Sequence, residues 1–236
     1  AASDVYNRQV LRTNFEFTIG THPEQNVIVF TSFNPGSGKT HLASNMAMSL
    51  AIKKKKVLLI DGDLRHGSSS MLIHSPGEGL SDYLNGRISD IHDILYKGEE
   101  NGLVKNFDMI PIGTIPPNPT ELLATPLLEQ MIQTMRQEYD YVFIDCPPIE
   151  VVADTPIYEQ FADRTIFVVR SGLMERSMLP EIDALYKEKK FKNMTLILNG
   201  TKTRGGRYGS HYGYGYGYGY GYGYSYNKEK NGGAKS

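Results

Sequence analysis

Short runs of apolar and β-branched residues recur along the first 201 residues of the chain. The pattern predicts strands at Val27–Thr31, Val57–Asp61, Met109–Ile112, Tyr141–Asp145, Thr165–Val169 and Thr195–Asn199. Most of these runs are apolar on both faces, as are the strands of a parallel sheet that is covered by helices on both sides.

Segments with apolar residues at helical spacing separate these runs. They predict helices at Asp4–Thr18, Thr40–Ile52, Glu121–Glu138 and Ser177–Lys190, with short helices and loops between Gly77 and Asn106. Regular alternation of strand and helix is typical of an α/β fold. We therefore expect a P-loop type, three-layer α/β/α sandwich around a mostly parallel sheet.

The composition changes abruptly after Thr201. Residues 202–236 contain no Val, Leu, Ile, Phe or Met, and nine tyrosines lie there, most of them alternating with glycine. Such a segment cannot offset the entropy lost on ordering by burying apolar side chains. The sequence predicts one folded domain at 1–201, with an N-terminal segment at 1–26, and a disordered tail at 202–236.

Charge follows the same division. The tail carries six basic residues and one acidic residue, hence +5; the whole chain carries −1, which leaves −6 for the first 201 residues. This balance argues against a nucleic-acid partner. The single Cys146 excludes an internal disulfide and fits a reducing cytosol. No apolar run approaches the ~20 residues of a membrane span, so these residues are expected to be soluble.

A glycine-rich loop, Phe33-Asn34-Pro35-Gly36-Ser37-Gly38-Lys39-Thr40, follows the first predicted strand and opens a helix. Backbone N–H groups of such a loop surround phosphates, the lysine reaches the β- and γ-phosphates, and the threonine hydroxyl ligates Mg²⁺. A chance glycine-rich turn is the alternative, which the strand–loop–helix context disfavours. We expect nucleotide contacts from Pro35, Gly36, Ser37, Gly38, Lys39, Thr40 and His41.

Acidic residues end two further predicted strands. Asp61 and Asp63 close the run from Val57, and Asp145 closes the run from Tyr141. Ligand sites of open α/β sheets lie at these strand ends, and Mg²⁺ prefers one or two carboxylates together with phosphate and water. Each aspartate taken singly could instead be a helix cap or a turn residue.

Together these motifs resemble the Walker A, A′ and B motifs of the bacterial tyrosine kinases, or BY-kinases. The matching elements are the glycine-rich loop, the strand ending Asp61-Gly62-Asp63-Leu64-Arg65, and the strand ending Asp145-Cys146-Pro147-Pro148. The stretch 113–123 and the tyrosine-rich tail also match, so the resemblance spans roughly residues 10–226.

The resemblance implies a role for each residue. Lys39 and Thr40 would bind phosphate and metal, Asp63 and Asp145 would hold Mg²⁺, and Asp61, as an unpaired acid, would accept the tyrosine proton. Asn199 would read the adenine edge, although an ordinary turn residue before Gly200 is an equal alternative. The phosphate acceptors would be Tyr208, Tyr212, Tyr214, Tyr216, Tyr218, Tyr220, Tyr222, Tyr224 and Tyr226.

The family further implies an ATP-dependent autokinase that phosphorylates its tail in trans and regulates capsular or extracellular polysaccharide polymerisation and export. It would act at the cytoplasmic side of the membrane with a membrane-spanning adaptor; the start at Ala1 instead of Met suggests an adaptor on the same chain. The family's subunits form rings through an N-terminal Glu-x-x-Arg-x-x-Arg motif. Here Arg12 fits that motif, but Tyr6 and Gln9 replace its other two members.

Two other functions remain open at this point. A partitioning-type ATPase shares the expected fold, but its loop carries a second lysine where this chain has Asn34. A nucleotide-gated assembly module, in which the tail tyrosines stack, is the non-enzymatic alternative.

Overall fold

The computed structural model describes residues 13, 15–16, 24–150 and 154–201. Most of the predicted N-terminal helix and the whole predicted tail lie outside these residues. Thr13, Phe15 and Glu16 are helical, as predicted for that segment.

One seven-stranded sheet organises the described residues. Its strands are β1 (Val27–Ser32), β2 (Val57–Asp61), β3 (Tyr96–Lys97), β4 (Phe107–Ile110), β5 (Tyr141–Asp145), β6 (Arg164–Arg170) and β7 (Thr195–Asn199). They lie in the order β3-β4-β2-β5-β1-β6-β7, and every pairing is parallel except that of β3 with β4. The expected α/β P-loop fold is confirmed.

Six α-helices connect these strands in the described part of the chain. They are α1 (Lys39–Ile52), α2 (Leu80–Leu84), α3 (Pro119–Leu123), α4 (Pro126–Glu138), α5 (Thr155–Glu159) and α6 (Leu179–Lys187). Short 3-10 helices lie at Ser70–Ile73, Ile91–Ile94 and Arg176–Met178. No described helix combines the length and apolarity that crossing a bilayer requires.

Apolar side chains on both faces of the sheet form the core. Val29 and Ile60 face α4, whereas Ile28 and Leu59, one position earlier in each strand, face α1. This alternation is expected, because successive side chains of a strand point to opposite faces of the sheet. Strands β1 and β2 are therefore buried on both faces, as their apolar sequences predicted.

Three predicted boundaries are wrong. The strand predicted at Met109–Ile112 lies two residues earlier, and the helix predicted at Ser177–Lys190 opens with a 3-10 turn. The helix predicted at Glu121–Glu138 is broken into α3 and α4, because Pro126 holds Thr125 in an extended conformation with ψ of 148°. Neither β3 nor α5 was predicted, since both are too short to show a period.

The carboxyl ends of the parallel strands gather the predicted motifs. The chain crosses from β1 to β2 and later returns to insert β5 between them. The loop after β1 therefore lies beside the acids that end β2 and β5. Such a reversal of strand order is where open α/β sheets bind ligands.

Candidate active site

Two glycines shape the loop between β1 and α1, residues 33–38, which we call the phosphate loop. Gly36 and Gly38 have φ angles of 74° and 88°, in the left-handed region that favours glycine. A side chain at position 38 would also overlap the amide group of Asn199. The turn from strand to helix therefore depends on both glycines.

Side chains from two distant strands hold the carbonyl groups of this loop. At the end of β6, Arg170 Nη1 donates to the Gly36 carbonyl at 2.7 Å. At the end of β7, Asn199 Nδ2 donates to the Ser37 carbonyl at 2.9 Å. The Ser37 hydroxyl donates to the Asn34 carbonyl at 2.8 Å. These bonds fix the loop at the amino end of α1, where backbone N–H groups favour an anion.

The Asn199 side chain is engaged at both ends. Its Nδ2 bonds the Ser37 carbonyl, and its Oδ1 accepts a hydrogen bond from the Gly200 N–H at 2.8 Å. The contact with adenine that the sequence suggested would have to share or replace one of these bonds. The adenine contact stays a prediction, whereas the observed hydrogen bond from Asn199 to Ser37 holds the phosphate loop in place.

A cavity of about 490 Å³ opens beside the phosphate loop. Five predicted nucleotide-binding residues line it, while Pro35 is exposed outside it and Ser37 is buried in the loop. The cavity is therefore the candidate phosphate pocket. Its lining consists of Gly36, Gly38, Lys39, Thr40, His41, Ser44, Ser68, Met71 and Leu72.

Two carboxylates lie side by side next to this pocket. Asp61 ends β2, Asp145 ends β5, and the two residues are register partners in adjacent strands. Both are fully buried. Burial, reinforced by the neighbouring Asp145 charge, raises the pKa of Asp61 from 3.8 to about 7. A carboxylate with such a pKa can take up a proton near neutral pH.

Asp61 is not the unpaired acid that the sequence suggested. Its Oδ2 accepts hydrogen bonds from the Ser70 N–H and the Ser70 hydroxyl, both at 2.7 Å. Its Oδ1 accepts a longer bond of 3.3 Å from the Asp63 N–H. A buried carboxylate needs such donors, which an isolated strand-end motif does not reveal.

Asp145 retains one oxygen without a partner. Its Oδ2 accepts a hydrogen bond from the Ser69 hydroxyl at 2.5 Å, whereas Oδ1 is buried with no hydrogen-bond partner among the described residues. Burial raises the pKa of Asp145, whereas the Lys39 charge, Ser69 and Thr40 each lower it. A buried, unpartnered carboxylate oxygen close to Lys39 and Thr40 fits a ligand of a bound cation.

Asp63 completes the set of predicted metal ligands. It is buried, and its Oδ1 accepts from the backbone N–H groups of Arg65 and His66 at 3.2 and 3.3 Å. Its negative charge also raises the pKa of Asp145. Thr40, Asp63 and Asp145 therefore converge. Across the described ranges no three His, Cys, Asp or Glu side chains are arranged to hold a metal alone. Mg²⁺ here would need phosphate and water ligands too, which it usually keeps.

A partly buried ion pair and a hydrogen bond to the same acid join the Asp61–Arg65 motif to the stretch 113–123. Arg65 Nε donates to Asp154 Oδ2 at 3.3 Å, and the Thr120 hydroxyl donates to Asp154 Oδ1 at 2.7 Å. Asp154 is buried, so both donors offset the cost of its charge. This network fixes the loop that follows Asp63.

The sequence pattern did not reveal Ser69, Ser70, Asp154 or Arg170. Serines after a glycine resemble an ordinary loop, and Asp154 and Arg170 carry no motif. Their contacts span 76, 9, 89 and 134 positions of sequence. The order of strands in the sheet brings three of these pairs together, whereas Ser70 lies only nine positions after Asp61.

Some predicted residues lie outside the described part of the chain. They are the nine tail tyrosines and the N-terminal positions Tyr6, Gln9 and Arg12. Asn34, which replaces the second lysine of partitioning ATPases, is described, and its Nδ2 donates to Glu150 Oε2 at 2.7 Å.

Comparison with known proteins places this site in a family. A family model described as an AAA domain matches residues 25–190. The tyrosine-protein kinase CpsD of Streptococcus agalactiae is 32% identical over 203 residues, 85% of each protein. The putative tyrosine-protein kinase AmsA of Erwinia amylovora is 34% identical over 83% of this chain, which spans only 25% of that longer protein.

Solved structures include a tyrosine kinase domain of the same kind as these sequence relatives. The kinase domain of the Escherichia coli tyrosine kinase ETK superposes with a TM-score of 0.75 and 33% identity, covering 89% of this chain and 79% of that one. The septum site-determining protein MinD of Pyrococcus horikoshii, complexed with Mg-ADP, superposes with a TM-score of 0.59 and 24% identity. The match covers 73% of this chain and 69% of that one, and it shows the shared fold alone. With its nucleotide-binding P-loop and its paired strand-end acids, the chain belongs to the BY-kinases, the tyrosine-protein kinases of bacterial capsule and exopolysaccharide systems.

Proposed function

We propose that this kinase transfers the γ-phosphoryl group of ATP to tyrosines, chiefly the nine tyrosines of the tail in a neighbouring copy. The observation that carries the proposal is the position of the paired acids behind the phosphate pocket. Lys39 and Thr40 line that pocket and both act on the pKa of Asp145, whose register partner in the next strand is Asp61. This arrangement supplies a phosphate cradle and a buried proton acceptor within a single site.

The chemistry follows from these groups. The phenolic oxygen attacks the γ-phosphorus, a new O–P bond forms, and the bond to the β-phosphate oxygen breaks, which releases ADP. Lys39 stabilises negative charge on the transferring group. Asp61 takes the phenolic proton, for which its raised pKa suits it. Mg²⁺, held through Thr40, Asp63 and Asp145, would neutralise phosphate charge when bound.

Tail transfer between copies is tested with two complementary variants. One copy carries Lys39→Met with an intact tail, and the other carries phenylalanine at all nine tail tyrosines with an intact pocket. Each is incubated with γ-labelled ATP and Mg²⁺, first alone and then mixed. Label on the Lys39→Met tail only in the mixture supports transfer in trans.

Two results would contradict this function. Free phosphate without labelled protein from the wild type would indicate an ATPase switch. Nucleotide binding with neither product would indicate an assembly module.

We further propose that the kinase acts at the cytoplasmic side of the membrane, with a membrane-spanning adaptor and as a homo-oligomer. The family supports this proposal, because the chain matches both short and much longer kinases. Addition of an adaptor's cytoplasmic segment should raise tail phosphorylation. An adaptor that neither binds nor activates the protein would contradict the partnership.

A further inference from the structure

Two consecutive serines each hold one of the paired acids. The Ser69 hydroxyl donates to Asp145 Oδ2 at 2.5 Å, and the Ser70 hydroxyl donates to Asp61 Oδ2 at 2.7 Å. Both serines are buried, with 0% and 1% of their surface exposed. The acids that end two neighbouring strands are thus clamped from a single short segment.

The direction of the Ser70 hydrogen bond follows from its other partner. Ser70 Oγ accepts a hydrogen bond from the Ile112 N–H at 2.9 Å. Its single hydroxyl proton is therefore available to Asp61, and the Ser70 N–H donates to the same carboxylate oxygen at 2.7 Å. Two donors from one residue fix Oδ2 of Asp61, while Oδ1 keeps only a bond of 3.3 Å.

Ser69 acts on Asp145 in a different way. By occupying Oδ2, it leaves Oδ1 as the oxygen that has no partner among the described residues. This is the oxygen that remains for a cation. The Ser69 bond therefore determines which oxygen of Asp145 is offered, and how the carboxylate is turned.

The same segment forms a wall of the phosphate pocket. Ser68, Met71 and Leu72 line the cavity, and the Met71 side chain is exposed. The serines between them point instead to the acids. One stretch of five residues therefore touches the pocket and also holds both carboxylates.

We propose that Ser69 and Ser70 are positioning residues with separate tasks. Ser69 orients Asp145 for the metal that accompanies the nucleotide, and Ser70 orients Asp61 for the proton of the acceptor tyrosine. The inference rests on the proposed function, since it assigns the two acids different partners. It predicts that loss of the two hydroxyl groups will have different consequences.

The Ser69 task is tested by nucleotide binding, without any measurement of phosphate transfer. A fluorescent ATP analogue is titrated at increasing Mg²⁺ with the wild type, Ser69→Ala and Ser69→Thr. We expect Ser69→Ala to need about 10- to 100-fold more Mg²⁺ for half-maximal binding. Ser69→Thr, which keeps the hydroxyl, should restore most of the difference. Ser69→Cys, a weak donor of similar size, should fall between them and replaces Ser69→Ala if that variant does not fold.

A matched control is Ser81→Ala. Ser81 is also a buried serine, but its hydroxyl donates to the Thr114 carbonyl. Loss of this hydroxyl should lower stability without changing the Mg²⁺ requirement. Equal Mg²⁺ requirements for Ser69→Ala and Ser81→Ala would overturn the assignment of Ser69.

The Ser70 task is tested by separating binding from transfer. Ser70→Ala should lower kcat for tail phosphorylation about tenfold while the affinity for Mg²⁺ and nucleotide stays at the wild-type value. Weakened nucleotide binding with unchanged kcat would overturn this assignment. Failure of the proposed function is distinguishable, because the wild type itself would then transfer no phosphate to tyrosine.

Discussion

The two ends of the central sheet hold their buried acids in opposite ways. At the amino end, Asp108 of β4 accepts hydrogen bonds from Lys97 Nζ and from the Tyr139 hydroxyl, both at 2.8 Å. At the carboxyl end, Asp61 and Asp145 lie side by side, and each accepts a hydrogen bond from a serine hydroxyl. Neither acid forms an ion pair in the described part of the chain, and burial raises the pKa of both.

Cavity size alone would place the active site at the amino end of the sheet, away from the phosphate loop. Two hollows of about 600 Å³ each lie at the amino end, against about 490 Å³ beside the phosphate loop. The linings of the larger cavities include ion pairs, such as Lys97 with Asp108 and Lys55 with Asp140. Acids that the fold buries without an ion pair are the better indicator of a binding site for a charged ligand.

The largest contrast between the two ends should come from their lysines. Lys39→Met removes the charge that we propose contacts the transferring phosphoryl group, so phosphorylation should fall at least ~10²- to 10³-fold. Lys97→Met, the matched change at the amino end, should leave the rate near the wild-type value. Quantitative phosphotyrosine detection on the purified variants measures both. Near-normal phosphorylation by Lys39→Met would remove the basis for this site.

The three acids of the carboxyl end should differ among themselves. Asp63→Asn and Asp145→Asn should each weaken Mg²⁺-dependent nucleotide binding by roughly tenfold or more, because each removes a proposed charged ligand of the metal. Asp61→Asn should lower transfer with a smaller effect on binding, since its proposed partner is the acceptor tyrosine. A fluorescent nucleotide titration separates the two effects. Equal losses of nucleotide affinity in all three variants would show that this division of roles is wrong.

The pH dependence of stability should expose the buried acid at position 61. Its pKa is raised from 3.8 to about 7, so its stabilising contribution is complete below pH 4 and is lost as the pH rises through 7. Asp61→Asn resembles the protonated acid and cannot ionise. Relative to the wild type, the variant should therefore gain stability between pH 5 and pH 8, by at most about 3 kcal/mol.

Urea unfolding at the two pH values, without Mg²⁺, measures this difference. An identical pH dependence for the variant and the wild type would show that Asp61 ionises as readily in the folded protein as in the unfolded chain.

The smallest effect is expected at the amino end. Tyr139→Phe removes the hydroxyl that donates to Asp108, while Lys97 continues to pair with that acid. The free energy of unfolding should fall by about 1 kcal/mol, and tail phosphorylation should not change. Urea unfolding and phosphotyrosine detection check the two halves of this expectation. A large loss of phosphorylation would mean that the two ends are coupled.

Much of the fold followed from local pattern. The boundaries of β2, β5 and β7 agree with the predicted strands, because each is an apolar run that ends in a polar residue. Burial on both faces explains the runs of β2 and β5, whereas β7 lies at the edge of the sheet and leaves Leu196 and Leu198 exposed. The helix break at Thr125 did not follow from periodicity, since the apolar spacing continues through the proline that interrupts the backbone.

The chain by itself determined which residues could perform the chemistry: the glycines and Lys39 of the phosphate loop, and the acids that end two strands. Only the tertiary structure decided how those acids are held. Insertion of β5 between β1 and β2 makes Asp61 and Asp145 neighbours, and the segment at Ser69 and Ser70 closes over them. Periodicity reports whether a side chain is buried, but hydrogen bonds across 76 positions depend on strand order, which no local pattern encodes.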